Sequence, residues 1–291
     1  MILITGATGQ LGTAVVRQLL TRTDASNIAV LARDPGKAAD LDKQGVSVRV
    51  GEYGDTGSLA RATKGVDRVL LIASSDFRRR VQQHQNVIDA AQAAGVQLLG
   101  FTSRSLHDIH SSQNLMLRDY FETEARIRES GLPAIIFRNA QYLDTLPVSL
   151  GGPAVFKAGI RVPAGQGRVA YALRREMGEA AANAMLGHRG GSRTYVLAGP
   201  QAHTFGDVAR ALSEISGSTV TYTSVSDKDF VAHAVEQGVP EQLARHLVGF
   251  FADVRDNQLS ETSTDLQTLL GRAPASLKDG LAELFAPAAS A

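Results

Sequence analysis

The sequence lacks cysteine altogether. Disulfides, thiolate nucleophiles and zinc–thiolate centres are therefore excluded, and the composition is compatible with a reducing compartment. An excess of charge of one sign is also missing, because 30 lysines and arginines face 29 aspartates and glutamates. A chain so close to neutral has no broad basic surface, so we predict neither a nucleic-acid partner nor a membrane-surface partner.

Long apolar runs are missing as well. No stretch approaches the roughly 18 apolar residues that a membrane-spanning helix requires. The opening run "MILITGATGQLG" passes from an apolar strand directly into glycines, without the charged segment that begins a secretory leader. We therefore expect a soluble, cytoplasmic protein that acts on a small-molecule substrate as a monomer or homodimer.

The first half of the chain alternates short β-branched runs with helical patterns. The strands are predicted at residues 2–5, 28–32, 46–50, 68–72, 98–102 and 134–138. The helices are predicted at residues 11–20, 37–44, 58–63, 81–94 and 115–129. A strand after each helix indicates right-handed βαβ units and a parallel sheet covered on both faces. The predicted fold class is α/β, with a Rossmann-type doubly wound sheet.

After residue 139 this alternation stops, and residues 146–169 are rich in glycine and proline. Helices are predicted at residues 176–186 and 205–216, strands in "TYVLAG" and near residues 220–223, and two or three helices from residue 227 onward. The pattern predicts a cofactor-binding Rossmann domain over residues 1–145 and a smaller, mixed α/β C-terminal lobe for the substrate over residues 146–291. Segments around residues 165–199 could return to the first sheet.

Glycines spaced three apart lie at the first strand-to-helix junction. Such glycines let the backbone bend tightly and approach a pyrophosphate, which then faces the N–H groups and dipole of the following helix. An ordinary tight turn is the alternative, but the position at the first βα junction favours dinucleotide binding. The residues predicted to hold the cofactor here are Gly6, Thr8, Gly9, Gln10, Leu11 and Gly12.

The end of the second strand is where such folds select between NAD and NADP. The segment reads "VLARDPGK", with Arg33 at the strand end and Lys37 one turn into the next helix. A guanidinium can bind a phosphate through two hydrogen bonds, and Lys37 adds a second positive charge. Asp34 keeps NAD open as an alternative, since a carboxylate there would bind the ribose hydroxyl. NADP, in the reduced form NADPH, is the favoured cofactor.

Further cofactor contacts are predicted at the ends of the third, fourth and fifth strands. The carboxyl ends of parallel strands face the ligand crevice in this class of fold. For each residue, a plain turn position is the alternative. The residues concerned are Glu52, Tyr53, Ala73, Ser74, Ser75, Thr102 and Ser103.

Several segments resemble the NmrA-like group of atypical short-chain dehydrogenase/reductases, with most likeness to its bacterial NAD(P)H:quinone oxidoreductases and triphenylmethane-dye reductases. They include "MILITGATGQLGTAVVRQLL", "SGLPAIIFRNAQY" and "STDLQTLLGRAPASLKDGL", so the resemblance covers nearly the whole chain. It implies a Rossmann domain with a small C-terminal lobe and NADPH between them. It also implies that Arg33 meets the 2′-phosphate, that Asn139 lies at the nicotinamide end, and that Tyr142 lies deeper in the substrate cleft.

The third catalytic candidate beside Asn139 and Tyr142 is Tyr120, which stands four residues before Glu124. Dehydrogenases that oxidise alcohols use Tyr-x-x-x-Lys, in which the ammonium lowers the pKa of the tyrosine. A carboxylate at that spacing would raise the pKa of Tyr120, which disfavours alcohol oxidation and sugar-nucleotide epimerisation. The alternative is that Tyr120 packs on the sheet while Glu124 pairs with Arg128.

Other candidates are weaker. His84 is more typical of a packed histidine than of a crevice residue, and the run Arg78–Arg79–Arg80 of a solvated helix start. His107 and His110 lie in one loop without a third ligand, so no metal is predicted.

The function predicted from these observations is transfer of hydride from NADPH to quinones or similar electron-poor aromatic acceptors. Such acceptors need correct positioning and a dry site rather than a strong base. The alternative is a non-catalytic NADP(H)-binding redox sensor of the NmrA type.

Overall fold

Seven parallel strands form the main sheet in the computed structural model, which describes residues 1–112, 114 and 117–286. They are β1 (Ile2–Ile4), β2 (Ile28–Ala32), β3 (Ser47–Val50), β4 (Arg68–Leu71), β5 (Leu98–Arg104), β6 (Ala134–Asn139) and β10 (Arg193–Leu197). Their order is β10-β6-β5-β4-β1-β2-β3, and all neighbours are parallel. The chain thus proceeds outward from β1 in both directions, as in a Rossmann fold.

Helices cover both faces of this sheet, because successive strand residues point to opposite faces. In β1, Ile2 and Ile4 belong to one buried apolar cluster, and Leu3 belongs to the other. The first cluster includes residues of the helices at residues 10–20 and 174–187, and the second includes residues of the helices at residues 56–63, 80–93 and 118–129. The helices around the sheet are α1 (Gln10–Leu20), α2 (Ala39–Lys43), α3 (Thr56–Thr63), α4 (Arg80–Ala93), α5 (Arg118–Glu129), α8 (Arg174–Gly187) and α12 (Asp265–Leu270).

The remaining elements enclose a third apolar cluster, which includes Phe205, Leu212, Phe251 and Leu281. Two small sheets belong to this part, one in the order β11-β9-β7 and one of β12 with β8. The strands are β7 (Gln141–Tyr142), β8 (Ile160–Val162), β9 (Arg168–Ala172), β11 (Ala202–Thr204) and β12 (Tyr222–Ser224). The helices are α6 (Leu146–Ser149), α7 (Val155–Ala158), α9 (Phe205–Ser216), α10 (Asp227–Glu236), α11 (Glu241–Arg255) and α13 (Leu277–Phe285).

The predicted fold class is confirmed, and most predicted bounds fall within two residues of the observed ones. The predicted helix over residues 37–44 is divided into a 3-10 turn, Pro35–Ala38, and the short α2. Residues 115 and 116, where another helix was predicted to begin, lie outside the described residues.

The prediction of two or three helices after residue 227 is wrong, because the described chain has four there, α10 to α13. Gly238 lies between α10 and α11 and Gly271 between α12 and α13, and both have a positive φ of the kind found where helices end.

The two parts of the chain interleave. Along the chain, β7, β8 and β9 come first. The next helix, α8, then packs against α1, and β10 pairs with β6 in the large sheet. The division at residue 145 remains a prediction. None of the helices in the described chain has the length and apolarity needed to cross a membrane.

Candidate functional site

Polar side chains and a glycine loop meet along one edge of the large sheet, where β1, β4, β5 and β6 end. This edge contains the point at which the strand order reverses, with β2 on one side of β1 and β4 on the other. Ligands of open α/β sheets bind in the crevice at such a point.

The glycine loop leaves the first turn of α1 open to an anion. Gly6 has a φ of +60°, and its carbonyl oxygen accepts a hydrogen bond of 3.1 Å from the Gly9 amide. A Cβ on Gly12 would lie 2.3 Å from the Gly6 oxygen, so only glycine lets the helix lie this close to the loop. No side chain caps α1 at Gly9, and its first-turn N–H groups have no intrahelical partner. Thr8, Gly9 and Gln10 are exposed, whereas Leu11 and Gly12 are buried.

Tyr53 holds the strand ends that precede this loop in place. Its hydroxyl lies 2.5 Å from Thr5 Oγ1 and 2.7 Å from the Ile72 carbonyl oxygen, which joins the ends of β1 and β4. Burial raises the pKa of Tyr53, so the phenol is neutral. The hydroxyl of this predicted cofactor contact is thus used inside the protein.

Two cations lie beyond the end of β2. Arg33 and Lys37 are exposed, and neither side chain forms a hydrogen bond or ion pair with another described residue. Asp34 instead accepts a hydrogen bond of 2.9 Å from the Gly36 amide and caps the following 3-10 turn. The carboxylate is therefore occupied, while the two cations are available.

The ends of β4 and β5 are joined by hydrogen bonds. The Ala73 amide donates to Thr102 Oγ1 at 2.9 Å, and the Ser74 amide donates to His84 Nε2 at 2.9 Å. Ser74 Oγ also donates to Gln83, while the neighbouring Ser75 is exposed. Three of the predicted cofactor residues are thus fixed in place, and Ser75 is not.

His84 is buried and neutral. Its Nδ1 lies 2.8 Å from Thr123 Oγ1, and that hydroxyl donates its own hydrogen to the Asp119 carbonyl. His84 Nδ1 therefore carries the proton, which leaves Nε2 to accept from Ser74. Burial, aided by the charge of Arg80, lowers the pKa of His84 from 6.5 to about 3. This histidine connects α4, α5 and the end of β4.

The prediction that Arg80 belongs to a solvated helix start is wrong. Its side chain is only 6% exposed, whereas Arg78 and Arg79 are exposed. Its Nε donates to the Ser74 carbonyl at 2.8 Å, and its guanidinium lies 4.7 Å from the ring centre of Tyr120. Apolar packing around the strand ends buries the cation, and its charge is compensated by an ion pair of 3.5 Å with Asp119, by the Ser74 oxygen and by the aromatic face.

Tyr120 and Glu124 do not act as a pair. The two carboxylate oxygens of Glu124 accept hydrogen bonds of 3.0 and 2.6 Å from Arg138, and one also accepts from Ser103. The alternative pairing of Glu124 with Arg128 is therefore wrong, because the buried carboxylate of Glu124 instead forms a bidentate ion pair with Arg138 on β6. Tyr120 packs against Phe101 on the sheet, with ring centres 6.5 Å apart.

Asn139 and Tyr142 are in direct contact. Asn139 Nδ2 donates to the Tyr142 hydroxyl at 3.1 Å, while Asn139 Oδ1 is buried and has no hydrogen-bond partner among the described residues. Burial raises the pKa of Tyr142. The positive charge of Arg104 acts in the opposite direction, and the Tyr120 phenol acts in the same direction as burial. The three catalytic candidates thus lie at the same end of the strand edge, at the opposite side from Arg33.

Two residues around Tyr142 were not predicted. The guanidinium groups of Arg174 and Arg104 lie 4.7 and 5.6 Å from the centre of its ring. A signal for Arg174 was available, because a cation at the first residue of a helix is unfavourable and calls for a compensating role. Arg104 directly follows the predicted strand-end residue Ser103.

Nothing in the described chain brings three or more histidine or carboxylate side chains together as a metal site. His107 and His110 are exposed. A separate cavity of about 810 Å³ lies among β9, β11, α9 and α13, and none of the predicted site residues lines it.

A comparison with known protein families assigns the chain to one of them. The NmrA-like family model matches residues 1–278. The chain belongs to the NmrA-like family.

Members and solved structures with full-length similarity agree with this assignment. Quinone oxidoreductase 2 of Escherichia coli is 38% identical over 98% of this chain and 99% of its own. A crystal structure of an Escherichia coli NADPH-dependent quinone oxidoreductase with NADPH matches with a TM-score of 0.91 at 36% identity, covering 98% and 100% of the two chains. Triphenylmethane reductase from Citrobacter with NADP(H) gives a TM-score of 0.91 at 34% identity over 98% and 100%.

Proposed function

We propose that this NmrA-like protein is an NADPH-dependent reductase of quinones or similar electron-poor aromatic acceptors. The observation that carries the proposal is the uncapped first turn of α1 together with two cations beyond the end of β2, Arg33 and Lys37, which pair with no residue that the structure describes. The names of its relatives, an NADPH-dependent quinone oxidoreductase and a triphenylmethane reductase, support the same chemistry. Bound NADPH would supply a hydride from its nicotinamide ring.

The residues present fit this cofactor from end to end. The amides of residues 10–12 would hold the pyrophosphate beside Thr8 and Gly9, because these three amides have no backbone partner among the described residues. Arg33 and Lys37 would bind the 2′-phosphate. The backbone around Ala73, Ser74 and Thr102 would line the crevice between the phosphates and Asn139. The unpartnered Oδ1 of Asn139 would accept a hydrogen bond from the carboxamide of the nicotinamide.

The acceptor end needs no strong base. Reduction of a quinone to a hydroquinone consumes one hydride and one proton, so the protein has only to orient the acceptor and supply that proton. Tyr142 suits this task because Asn139 donates to its oxygen, which leaves the phenolic hydrogen free for an acceptor oxygen. Tyr120 would form part of the wall beside it. The carboxylate of Glu124 is already occupied by Arg138.

The non-catalytic sensor is the competing proposal, and turnover separates the two. Purified protein would be mixed with NADPH and a panel of quinones, and oxidation of NADPH followed by its absorbance. We expect turnover with at least one quinone and far slower turnover with NADH. Tight NADPH binding without turnover of any acceptor would favour the sensor, and the absence of binding would overturn both. We also propose that the protein works in the cytoplasm on a small molecule, without nucleic acid or membrane.

A further inference from the structure

Two arginines from distant parts of the chain converge on one tyrosine at the acceptor end. Arg104 is the last residue of β5, and Arg174 is the first residue of α8. Their guanidinium carbons lie 5.6 and 4.7 Å from the ring centre of Tyr142. Both arginines are half-buried.

The charge of this arginine pair is not neutralised. Within the part of the chain that the structure describes, no carboxylate lies within ion-pair distance of either guanidinium. Arg138 and Arg175, by contrast, each contact a glutamate at 2.6 and 2.8 Å. Arg104 donates only to the neutral Gln141 oxygen, at 2.6 Å.

Two carboxylates near these arginines accept hydrogen bonds from neutral donors and form no ion pair with either guanidinium in the described chain. Asp144 accepts a hydrogen bond of 2.8 Å from the backbone amide of Arg174, and Glu261 accepts one of 2.5 Å from Ser105. The N-terminal end of α8 adds a partial positive charge at Arg174. Two cations and a helix terminus therefore act on the same small volume.

We propose that Arg104 and Arg174 form an anion-recognising subsite around Tyr142, which favours acceptors with a carboxylate or sulfonate group and disfavours cationic triarylmethane dyes. The inference rests on the proposed function, because it takes the volume beside Tyr142 as the acceptor site. An acidic substituent replaces the missing carboxylate partner of the arginines. The two positive charges would repel a cationic dye and weaken its binding.

The test compares acceptors that differ in charge. Steady-state kcat/KM would be measured with NADPH and an unsubstituted naphthoquinone, its sulfonated derivative or a cationic triarylmethane dye. We expect wild type to prefer the sulfonated over the neutral quinone. Arg104→Gln and Arg174→Gln should each lower that preference roughly tenfold, the size of one lost charge-assisted hydrogen bond, mainly through KM. Both substitutions should increase the relative rate with the dye.

Two further variants separate charge from structure. Arg174→Lys keeps the positive charge and should retain most of the preference for the sulfonated quinone. Arg175→Gln makes the same chemical change at the next residue, on an exposed side chain paired with Glu283, and should leave the preference unchanged. Because the preference is a ratio of two acceptors, a general loss of folded protein cancels from it.

Binding measurements keep this inference separate from the proposed function. Calorimetry with the NADP⁺-saturated protein would compare the affinities of the sulfonated and neutral quinones without turnover. Tighter binding of the sulfonated quinone, reduced about tenfold by either glutamine variant, would support the subsite even if no acceptor were reduced. Equal affinities in wild type, or a preference unchanged in the Arg104→Gln/Arg174→Gln double variant, would overturn it.

Discussion

At the scale of single residues, the proposed acceptor end depends on the direction of the phenolic hydrogen of Tyr142. Asn139 Nδ2 donates to the oxygen of Tyr142, so the phenolic hydrogen of Tyr142 is directed elsewhere. Burial raises the pKa of Tyr142, which keeps that hydrogen in place at neutral pH. A neutral, oriented hydroxyl is what an acceptor oxygen needs as it gains electrons.

Tyr142→Phe removes this hydrogen and retains the ring. We expect kcat for a quinone to fall roughly 100-fold, at the lower end of the range for general acids, while NADPH affinity stays unchanged. Tyr171→Phe is the matched control, since no described residue bonds to its buried hydroxyl and Tyr171 lines the separate cavity. Equal losses in both variants, measured in the same quinone assay, would contradict the role of Tyr142.

Arg33 is the residue that should separate NADPH from NADH. Arg33→Ala removes an exposed guanidinium that has no partner in the described chain, so its cost falls on ligand binding rather than on folding. We expect the Kd of NADPH to rise roughly 10- to 100-fold and that of NADH to change little. Calorimetry with both cofactors checks this, and Arg22→Ala, another exposed arginine, serves as control. A parallel change for NADH would argue against 2′-phosphate binding.

At the scale of elements, helix α1 can approach the glycine loop closely because residue 12 is a glycine and has no side chain. A Cβ on Gly12 would lie 2.3 Å from the Gly6 oxygen and 2.6 Å from Ala7 Cα. Both neighbours are backbone atoms, which cannot rotate away. The distance between α1 and the loop therefore depends on this glycine.

Gly12→Ala should push α1 away from the loop. We expect a loss of roughly 1–3 kcal/mol in the free energy of unfolding, together with weaker NADPH binding, because the amides of the first turn would no longer face the loop. Gly187→Ala is the control, since no described atom outside its own stretch of helix lies within 4 Å of the added Cβ. Urea denaturation and calorimetry measure the two effects. Normal stability and affinity in Gly12→Ala would show that the close approach is not required.

Elements with local end signals could be predicted from the sequence, whereas elements made by distant pairing could not. Helix α9 has the bounds predicted for it, and the structure shows local signals at both ends: Thr204 and Asp207 form a capping box, and Gly217 ends the helix. Strand β7 has two residues and exists because Gln141 and Tyr142 pair with β9. So short a segment has no readable periodicity.

The same reasoning divides the residues of the site. The glycine loop and Arg33 stand at strand ends that the sequence pattern locates. The partner of Glu124 is Arg138, on a strand that comes beside α5 only in the folded chain, whereas the predicted partner Arg128 was merely near in sequence. Arg104 and Arg174 meet at Tyr142 only because β7 joins β9 just before α8 begins.

At the scale of the whole molecule, one buried histidine contributes both to the stability of the fold and to the position of the strand ends at the proposed cofactor site. His84 on α4 contacts Thr123 on α5 and the Ser74 amide beyond β4, and it packs edge-on against Phe101. Protonation would place a charge in this apolar contact and would remove the acceptor of the Ser74 amide. The position of the strand ends therefore depends on the neutral form of His84.

The sign of the resulting pH dependence follows from the two pKa values of His84. The folded-state value of about 3 lies below the ordinary 6.5, so the unfolded chain binds more protons between these limits. The stability due to neutral His84 is complete above pH 6.5 and is lost as the pH falls toward 3. We expect a slope of up to about 1.4 kcal/mol per pH unit, which urea denaturation between pH 7 and about pH 4 would measure. His84→Gln should flatten this slope, whereas His233→Gln, at an exposed histidine, should retain it. Equal slopes in the two variants would assign the acid sensitivity to other groups.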